Sequence, residues 1–575
     1  MVSAGAGPPR HGGFFPLSEV HRGLHGTAWT VFAGTVPESM DVEILGVLKG
    51  ARGPGQDMIL AQLHGAKPEY TGVVAGMSGS PVYIGDKLLG SLSYRIGQFS
   101  KDPIAGITPI AQMLQVRDLP LRASEPKNQG TDSLTNGAAI RAMDTPLVMS
   151  GFAPDAVRLW QEKLAGTPLA AVSAGGVNSS SRDGSKMISA SAAGVEPGSA
   201  VSAQLVRGDM EISATCTVTY LDPKQLLACG HPILQSGPVS MPMTTAEVVA
   251  TLASPLNAFK IVNTGVTIGA FTEDRDSAIR GVLGEQAKMI PVHIAVHSPR
   301  GERNLRVEIL NLESLTPQAL MVVVYNSLLQ TNDSTAEMSY HLKGNIAFDT
   351  YGQVPVDVWA SSDQMSPAAM TTALQTGLQF QRLYGNDTRQ GTVTGIDLQV
   401  DAIPHHVDVS LDTARIVSSD EIHAGGTVMV EATLHPWHES PRNVRIPVML
   451  PSRLEAGSMR LLVSDSGTLD RTLQQPRLGG QQDDMATAVA EARLQHPADR
   501  VYVSLLLPES QAGIEGEALS SVPLSMANVL EPMKSTQDAD LNGESAVVAA
   551  SAPANGVVKG FTVLNIHVAP GGGLD

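Results

Sequence analysis

Short apolar-rich runs joined by glycine turns fill the first hundred positions of this chain. Gly26–Phe32, Asp41–Val47, Met58–Leu63, Gly72–Ala75 and Lys87–Tyr94 each read as a strand. Thr108-Pro109 then starts a short helix over Ile110–Leu114. A polar stretch, 121–142, reads as a linker, followed by an amphipathic helix over about 154–165 and a Ser/Gly/Ala-rich segment, 173–194. Strands resume at about 199, with a hairpin of Thr215–Leu221 and Gln225–Cys229 around Asp222-Pro223. Thr244-Thr245-Ala246-Glu247 has capping-box spacing and predicts a helix to about Leu252. Further strands fall at about 259–271, 279–283 and 289–297.

Beyond residue 300 the strands alternate with one clear helix, begun by Ser366-Pro367, whose Met370, Leu374 and Leu378 share a face. From 405 the pattern becomes strict alternation. In Thr427–Leu434 the residues Val428, Val430, Ala432 and Leu434 face one way and Thr427, Met429, Glu431 and Thr433 the other, as in a half-buried sandwich strand. The segment 473–500 is polar with a helical patch at 485–494, and 535–556 reads as a linker before a last strand at 557–568. The resulting division is a serine-bearing lobe (14–120), a linker with a short helix (121–195), a histidine-bearing lobe (196–299), an α+β domain (300–404), an Ig-like β-sandwich (405–535) and a linker with a terminal strand (536–575).

Composition agrees with many strands and turns. The 575 residues include 56 Gly and 37 Pro, and 42% of them are hydrophobic, ample for several cores. A net charge of −17 argues against a nucleic-acid partner, which needs a basic footprint. No apolar run is long enough to span a membrane, and the first twenty residues lack the apolar core of a signal peptide. Cys216 and Cys229 flank the hairpin. A two-residue loop would set them opposite each other, but Pro223 fits the first central position of a type I turn, a register that offsets them. Two buried free thiols are therefore expected, and no zinc spacing is present.

Candidate chemistry centres on Gly76-Met77-Ser78-Gly79-Ser80-Pro81. A serine between glycines at a tight turn is a way to present a nucleophile, and the N–H groups of Gly76 and Ser78 are placed to form an oxyanion hole. Of the 15 histidines, His231 in Leu226-Leu227-Ala228-Cys229-Gly230-His231-Pro232 ends an apolar strand beside a glycine and is the candidate base. His405, His406, His435 and His438 fit solvated loops better than a metal site.

With these residues in hand, the chain resembles the SpoIVB family of bacterial serine peptidases. Two blocks carry the likeness: TGVVAGMSGSPVYIGDKLLGSLSY with KDPIAGITPIAQML, and GSAVSAQLVRGDMEISATCTVTYLDPKQLLACGHPI with AEVVATL and FKIVNTGVTIGAFTEDRDSAIRGVLGE. The resemblance covers about a third of the chain. It implies a mainly β fold, with a two-lobed chymotrypsin-like barrel region ahead of β-sandwich-like domains. It implies a serine endopeptidase with Ser78 as nucleophile, His231 as base, a protein or peptide substrate and no cofactor. A periplasmic or extracellular location and an envelope partner for the C-terminal domains would follow from it.

Two departures accompany the likeness. The serine block precedes the histidine block, the reverse of the family order. The family's acid would fall near His64, which is no carboxylate, with Asp57 and Glu69 as nearby substitutes. Chymotrypsin-like spacing, in which the acid follows the base by a few tens of residues, points instead to Asp274 or Asp276. Met77 replaces the acidic residue of trypsin-like enzymes, so activation by a freed N-terminus is not expected. The alternative is a catalytically inactive scaffold with the same barrels.

Overall fold

The apolar-rich segments of the first hundred residues close into a barrel. The computed structural model describes residues 7–9, 12–97, 102–120, 140–167, 169, 172–173, 175–177, 187–254, 258–329, 338–362, 367–384, 391–418, 421–474, 485–507, 510–514, 517–530, 539–542 and 545–570. The chain is mainly β and divides into two units, residues 1–293 with 305–326, and residues 294–304 with 327–575. Residues 305–326 therefore belong with the barrels, whereas the sequence pattern groups them with 300–404.

In the first unit, β1 (His25–Thr30), β2 (Glu38–Leu48), β3 (Met58–His64), β4 (Pro81–Ile84), β5 (Lys87–Ile96) and β6 (Ile104–Pro109) form a six-stranded ring. Their order is β1-β2-β3-β6-β5-β4, and β4 closes onto β1. Val42, Ile44, Ile59, Ala61 and Leu63 alternate into its core beside Leu89, Leu92 and Ile107. Each of the Val, Ile and Leu side chains contributes roughly 1.5–3 kcal/mol by leaving water. Two short helices attach to the ring, α1 (Ala66–Thr71) and α2 (Ile110–Arg117). Strand β5 is buried on both faces because α2 covers its outer side, with Ile110, Met113 and Val116 against Leu88. The expected strand Gly72–Ala75 is instead a turn, since α1 ends at Gly72 and only Ala75 bridges to another strand.

A second ring repeats the winding. After β7 (Ile140–Ala142), β8 (Leu147–Ser150), α3 (Pro154–Lys163), β9 (Val172–Ser173) and β10 (Gly175–Val177) come β11 (Ala200–Gly208), β12 (Glu211–Leu221), β13 (Gln225–Ala228), β14 (Gly237–Leu252), β15 (Phe259–Arg275) and β16 (Ala278–Leu283). The last six pair in the order β11-β12-β13-β16-β15-β14, with β14 returning to β11. Numbered within each ring, both read 1-2-3-6-5-4. The segment between the rings is more than a linker, because β8 pairs with β12 and β10 with β15. Residues 121–139 and most of 173–186 lie outside the described residues.

Two local expectations fail here. Thr244-Glu247 lies inside β14, not at a helix start. Val248 and its neighbours pair with β15, and β-branched side chains favour a pleated surface once such a partner exists. Cys216 and Cys229 form a disulfide with Cα atoms 5.3 Å apart. Pro223 does occupy the first central turn position, since the Asp222 N–H donates to the Gln225 carbonyl and the Asp222 carboxylate accepts from Lys224 N–H. A bulge between Val218 and Tyr220, together with a positive φ of 66° at Cys229, then removes the offset.

The second unit contains β19 (Ser339–Phe348), β20 (Gly352–Ser361) and β21 (Val393–Ile403), reached after β17 (Met289–Ser298), β18 (Gly301–Leu310) and α4 (Thr316–Leu329). The helix α5 (Ala368–Tyr384) packs on β20. It buries Ala369, Thr372, Ala373, Thr376 and Phe380, whereas Leu378 is exposed, so the close approach uses its small-residue face and not the Met370–Leu378 stripe. Beyond it, two four-stranded sheets share one core that includes Val428, Val430, Ala432 and Leu434. The segment Ser545–Pro553, expected as linker, is a strand of the second sheet, paired with Arg500–Leu507.

Candidate active site

The serine turn is held from inside the first barrel. Val74 and Met77 are buried in that core. Met77 N–H donates to Val74 O at 3.0 Å, Gly79 N–H to Leu92 O at 2.7 Å, and Ser80 N–H to Met77 O at 2.9 Å. Ala75 N–H donates to Ala258 O at 2.8 Å. Every N–H from Ala75 to Ser80 thus has an acceptor except those of Gly76 and Ser78, which donate to nothing among the described residues. Buried amides are nearly always paired, so two orphans at alternate positions set this turn apart. Gly76 and Gly79 have φ of 93° and 94°, which produce the alternation and favour glycine at both positions.

The second barrel receives the carbonyl side of the same turn. Thr217 N–H donates to Ser78 O at 2.8 Å, Thr217 Oγ1 to Gly76 O at 3.0 Å and Thr219 Oγ1 to Gly79 O at 2.6 Å. The Cys229 N–H donates to Thr217 O at 3.3 Å, which fastens the histidine strand to the same threonine. Thr108 Oγ1 of the first barrel donates to Gly230 O at 2.6 Å. Ser78 and His231 therefore flank one seam between the barrels. Both have no solvent exposure, and neither Ser78 Oγ nor His231 Nε2 has a hydrogen-bond partner among the described residues.

His231 Nδ1 lies 2.8 Å from the Pro232 carbonyl, which accepts its proton and leaves Nε2 as the basic nitrogen. Burial pushes the ring pKa down to about 4; the Pro232 carbonyl opposes this and the Arg52 guanidinium adds to it. At neutral pH the ring is an uncharged acceptor.

Among the described residues no carboxylate is bonded to the ring. Asp274 is buried, and its oxygens accept Ile233 N–H at 2.9 Å and Leu234 N–H at 2.6 Å, so it fixes the turn after His231 and not the ring. Burial lifts its pKa to about 6 against the pull of those amides. Asp276 pairs with Arg52 at 3.5 Å and is half exposed. Arg52 also donates to Tyr94 Oη, Gln56 and Gln112. Asp57 accepts Gly50 N–H, and Glu69 accepts Gly65 N–H while facing His64 at 3.9 Å.

No family model matches this chain, and no curated protein or solved structure matches it.

Among the described residues no group of three His, Cys, Asp or Glu side chains is placed to hold a metal, and no helix is long and apolar enough to cross a membrane. His435 pairs with Asp412 at 3.2 Å, and His406 stacks on Trp437. A surface cleft of about 350 Å³, lined by Tyr70, Gly72, Val73, Arg95, Ile104 and Ser254, opens where the chain enters the serine turn. Thr217, Thr108 and Lys260 are the site residues that sequence reasoning missed. The threonines follow a strand pattern indistinguishable from surface alternation. Lys260 carries a signal in hindsight: a lone cation in the apolar strand Phe259–Ile268.

Proposed function

We propose that this chain is a serine peptidase that works through an acyl-enzyme on Ser78, with His231 as general base. The carrying observation is the pair of unpaired Gly76 and Ser78 amides beside an unpartnered Ser78 Oγ, across the seam from an unpartnered His231 Nε2. As Oγ bonds the substrate carbonyl carbon, Nε2 takes its proton and the two amides bind the oxygen that gains charge. The imidazolium then gives that proton to the leaving amine, and water releases the acyl group by the reverse route. Each oxyanion donor is worth about 10²–10³ in rate. The Pro232 carbonyl performs the tautomer-fixing part of the missing acid, and Asp274 holds the loop that carries that carbonyl.

Two closed six-stranded rings of one winding, with the site on their seam, support the chymotrypsin-like two-lobed reading and the SpoIVB-like family despite the reversed block order. The Cys216–Cys229 disulfide supports a periplasmic or extracellular location. Thiol alkylation of the protein from its native cells tests this; two free thiols would contradict it.

A fluorophosphonate probe tests the activity. Labelling that is lost in Ser78→Ala and falls at least about 100-fold in His231→Ala is the expected result. The second reading, an inactive scaffold, is favoured by the complete burial of Ser78 and the absence of a carboxylate at His231. Folded protein that never labels would establish it.

A further inference from the structure

One buried charge beside the site has no part in the mechanism above. Lys260 lies on β15 and has no solvent exposure. Its N–H donates to Ala75 O at 3.2 Å, so its backbone is tied to the serine turn. Its side chain then runs along Gly76: a Cβ built there would sit 3.2 Å from Lys260 Cδ and 3.4 Å from Cγ. The Nζ donates to Thr30 Oγ1 of β1 at 2.8 Å. One residue therefore joins the first barrel, the second barrel and the residue whose amide faces the oxyanion.

Among the described residues no carboxylate on the adjoining elements is paired with Lys260. Across β1, Glu38 is the register partner of Thr30 and pairs with Lys67. On β14, Thr251 lies opposite Lys260 and donates to Phe32 O, while Glu247 lies opposite Asn263. On α1, Glu69 faces His64. The serine turn itself carries no titratable side chain from Gly72 to Gly76. Among the described residues no carboxylate pairs with Lys260, and burial alone brings its pKa down to about 7.

We propose that Lys260 is a positioning residue of the oxyanion turn: its stem holds Gly76, and its ammonium adds positive charge behind the two amides. The proposal rests on the peptidase reading. Bond lengths put Nζ within roughly 8 Å of the Gly76 N–H. An oxygen bound there lies about 3 Å beyond that N–H, so at an effective dielectric of about 20 a charge roughly 11 Å away favours the oxyanion on the order of 10-fold. This acts oppositely to His231 in pH: the base gains competence as pH rises through its low pKa, whereas Lys260 loses its charge as pH rises past neutrality.

The test is the rate constant of fluorophosphonate labelling of the full chain, measured from about pH 5 to 9 for wild type, Lys260→Met, Lys260→Arg and Thr30→Val. Wild type is expected to lose on the order of 10-fold across neutrality. Lys260→Met should sit on the low plateau without that limb, and Lys260→Arg, which keeps its proton, should hold the high plateau at alkaline pH. Thr30→Val removes the hydroxyl bonded to Nζ and should move the limb to lower pH. A limb retained in Lys260→Met, or absent from wild type, overturns the proposal. If Lys260→Met fails to fold, an unmoved limb in Thr30→Val overturns it. No labelling at any pH overturns it together with the peptidase reading.

Discussion

Adding one methyl group at Gly79 should separate the two barrels where they meet at the serine turn. A Cβ there would lie 2.0 Å from Thr217 O and 2.6 Å from Cys229 N, both backbone atoms of the second barrel. Neither can move without disturbing bonds at the seam: Thr217 N–H to Ser78 O, Thr219 Oγ1 to Gly79 O and Cys229 N–H to Thr217 O. Losing two of these costs about 1–3 kcal/mol, and an alanine at φ of 94° adds about 1–2 kcal/mol. Gly79→Ala should therefore lose roughly 2–5 kcal/mol. Gly85→Ala is the control, with φ of 62° and nothing within 4 Å of its added carbon. It should lose only the conformational part, about 1–2 kcal/mol. Urea unfolding of both variants, followed by Trp fluorescence, measures the difference. Gly79→Ala no less stable than Gly85→Ala would refute the packing of the turn against Thr217 and Cys229.

Reducing Cys216–Cys229, or replacing both by Ser, should cost about 2–4 kcal/mol in the urea midpoint of the barrel unit; an unchanged midpoint contradicts the bond. His231 is buried neutral with its pKa lowered, so the folded state binds its proton less well than the unfolded chain. Stability from this residue is complete above the unfolded pKa of about 6.5 and is lost as pH falls toward about 4, by roughly 3 kcal/mol in total. Wild type measured against His231→Gln at pH near 7 and near 4.5 reads this directly, and a pH-independent difference contradicts it. Asp274→Asn should slow labelling by loosening the 232–236 turn while leaving the pH at which the His231 limb appears nearly unchanged, because Asp274 bonds to Ile233 and Leu234 and not to the ring. A large shift of that limb would restore Asp274 as the triad acid.

The parts of this protein legible in its sequence are those where local pattern and tertiary demand agree. Val428 to Leu434 alternates because one face of its strand is buried, and its apolar set lies in the sandwich core. Ser78 could be singled out because Gly76 and Gly79 announce an unusual backbone. The failures share a cause, a neighbour distant in sequence that overrides the local signal. Thr244-Glu247 has the residues of a helix start but pairs with β11 and β15. The half-turn that brings Cys229 to Cys216 depends on a bulge in the opposite strand. On α5 the small residues, not the long ones, allow close packing, which a count of apolar positions misses. The spacing that suggested Asp274 found a residue next to the site but could not tell a loop-fixing carboxylate from one aimed at the ring. Lys260 stands out as a lone cation in its strand, but nothing in that strand reveals that Gly76 lies against it.

The central claim is that Ser78 forms the acyl-enzyme. The most direct measurement is intact mass with peptide mapping after acid quench of the full chain incubated with an activated ester. The account predicts one acyl group per chain, mapped to the peptide containing Gly76-Met77-Ser78 and absent from Ser78→Ala. An acyl group on another residue, or none on folded wild-type protein, would contradict it.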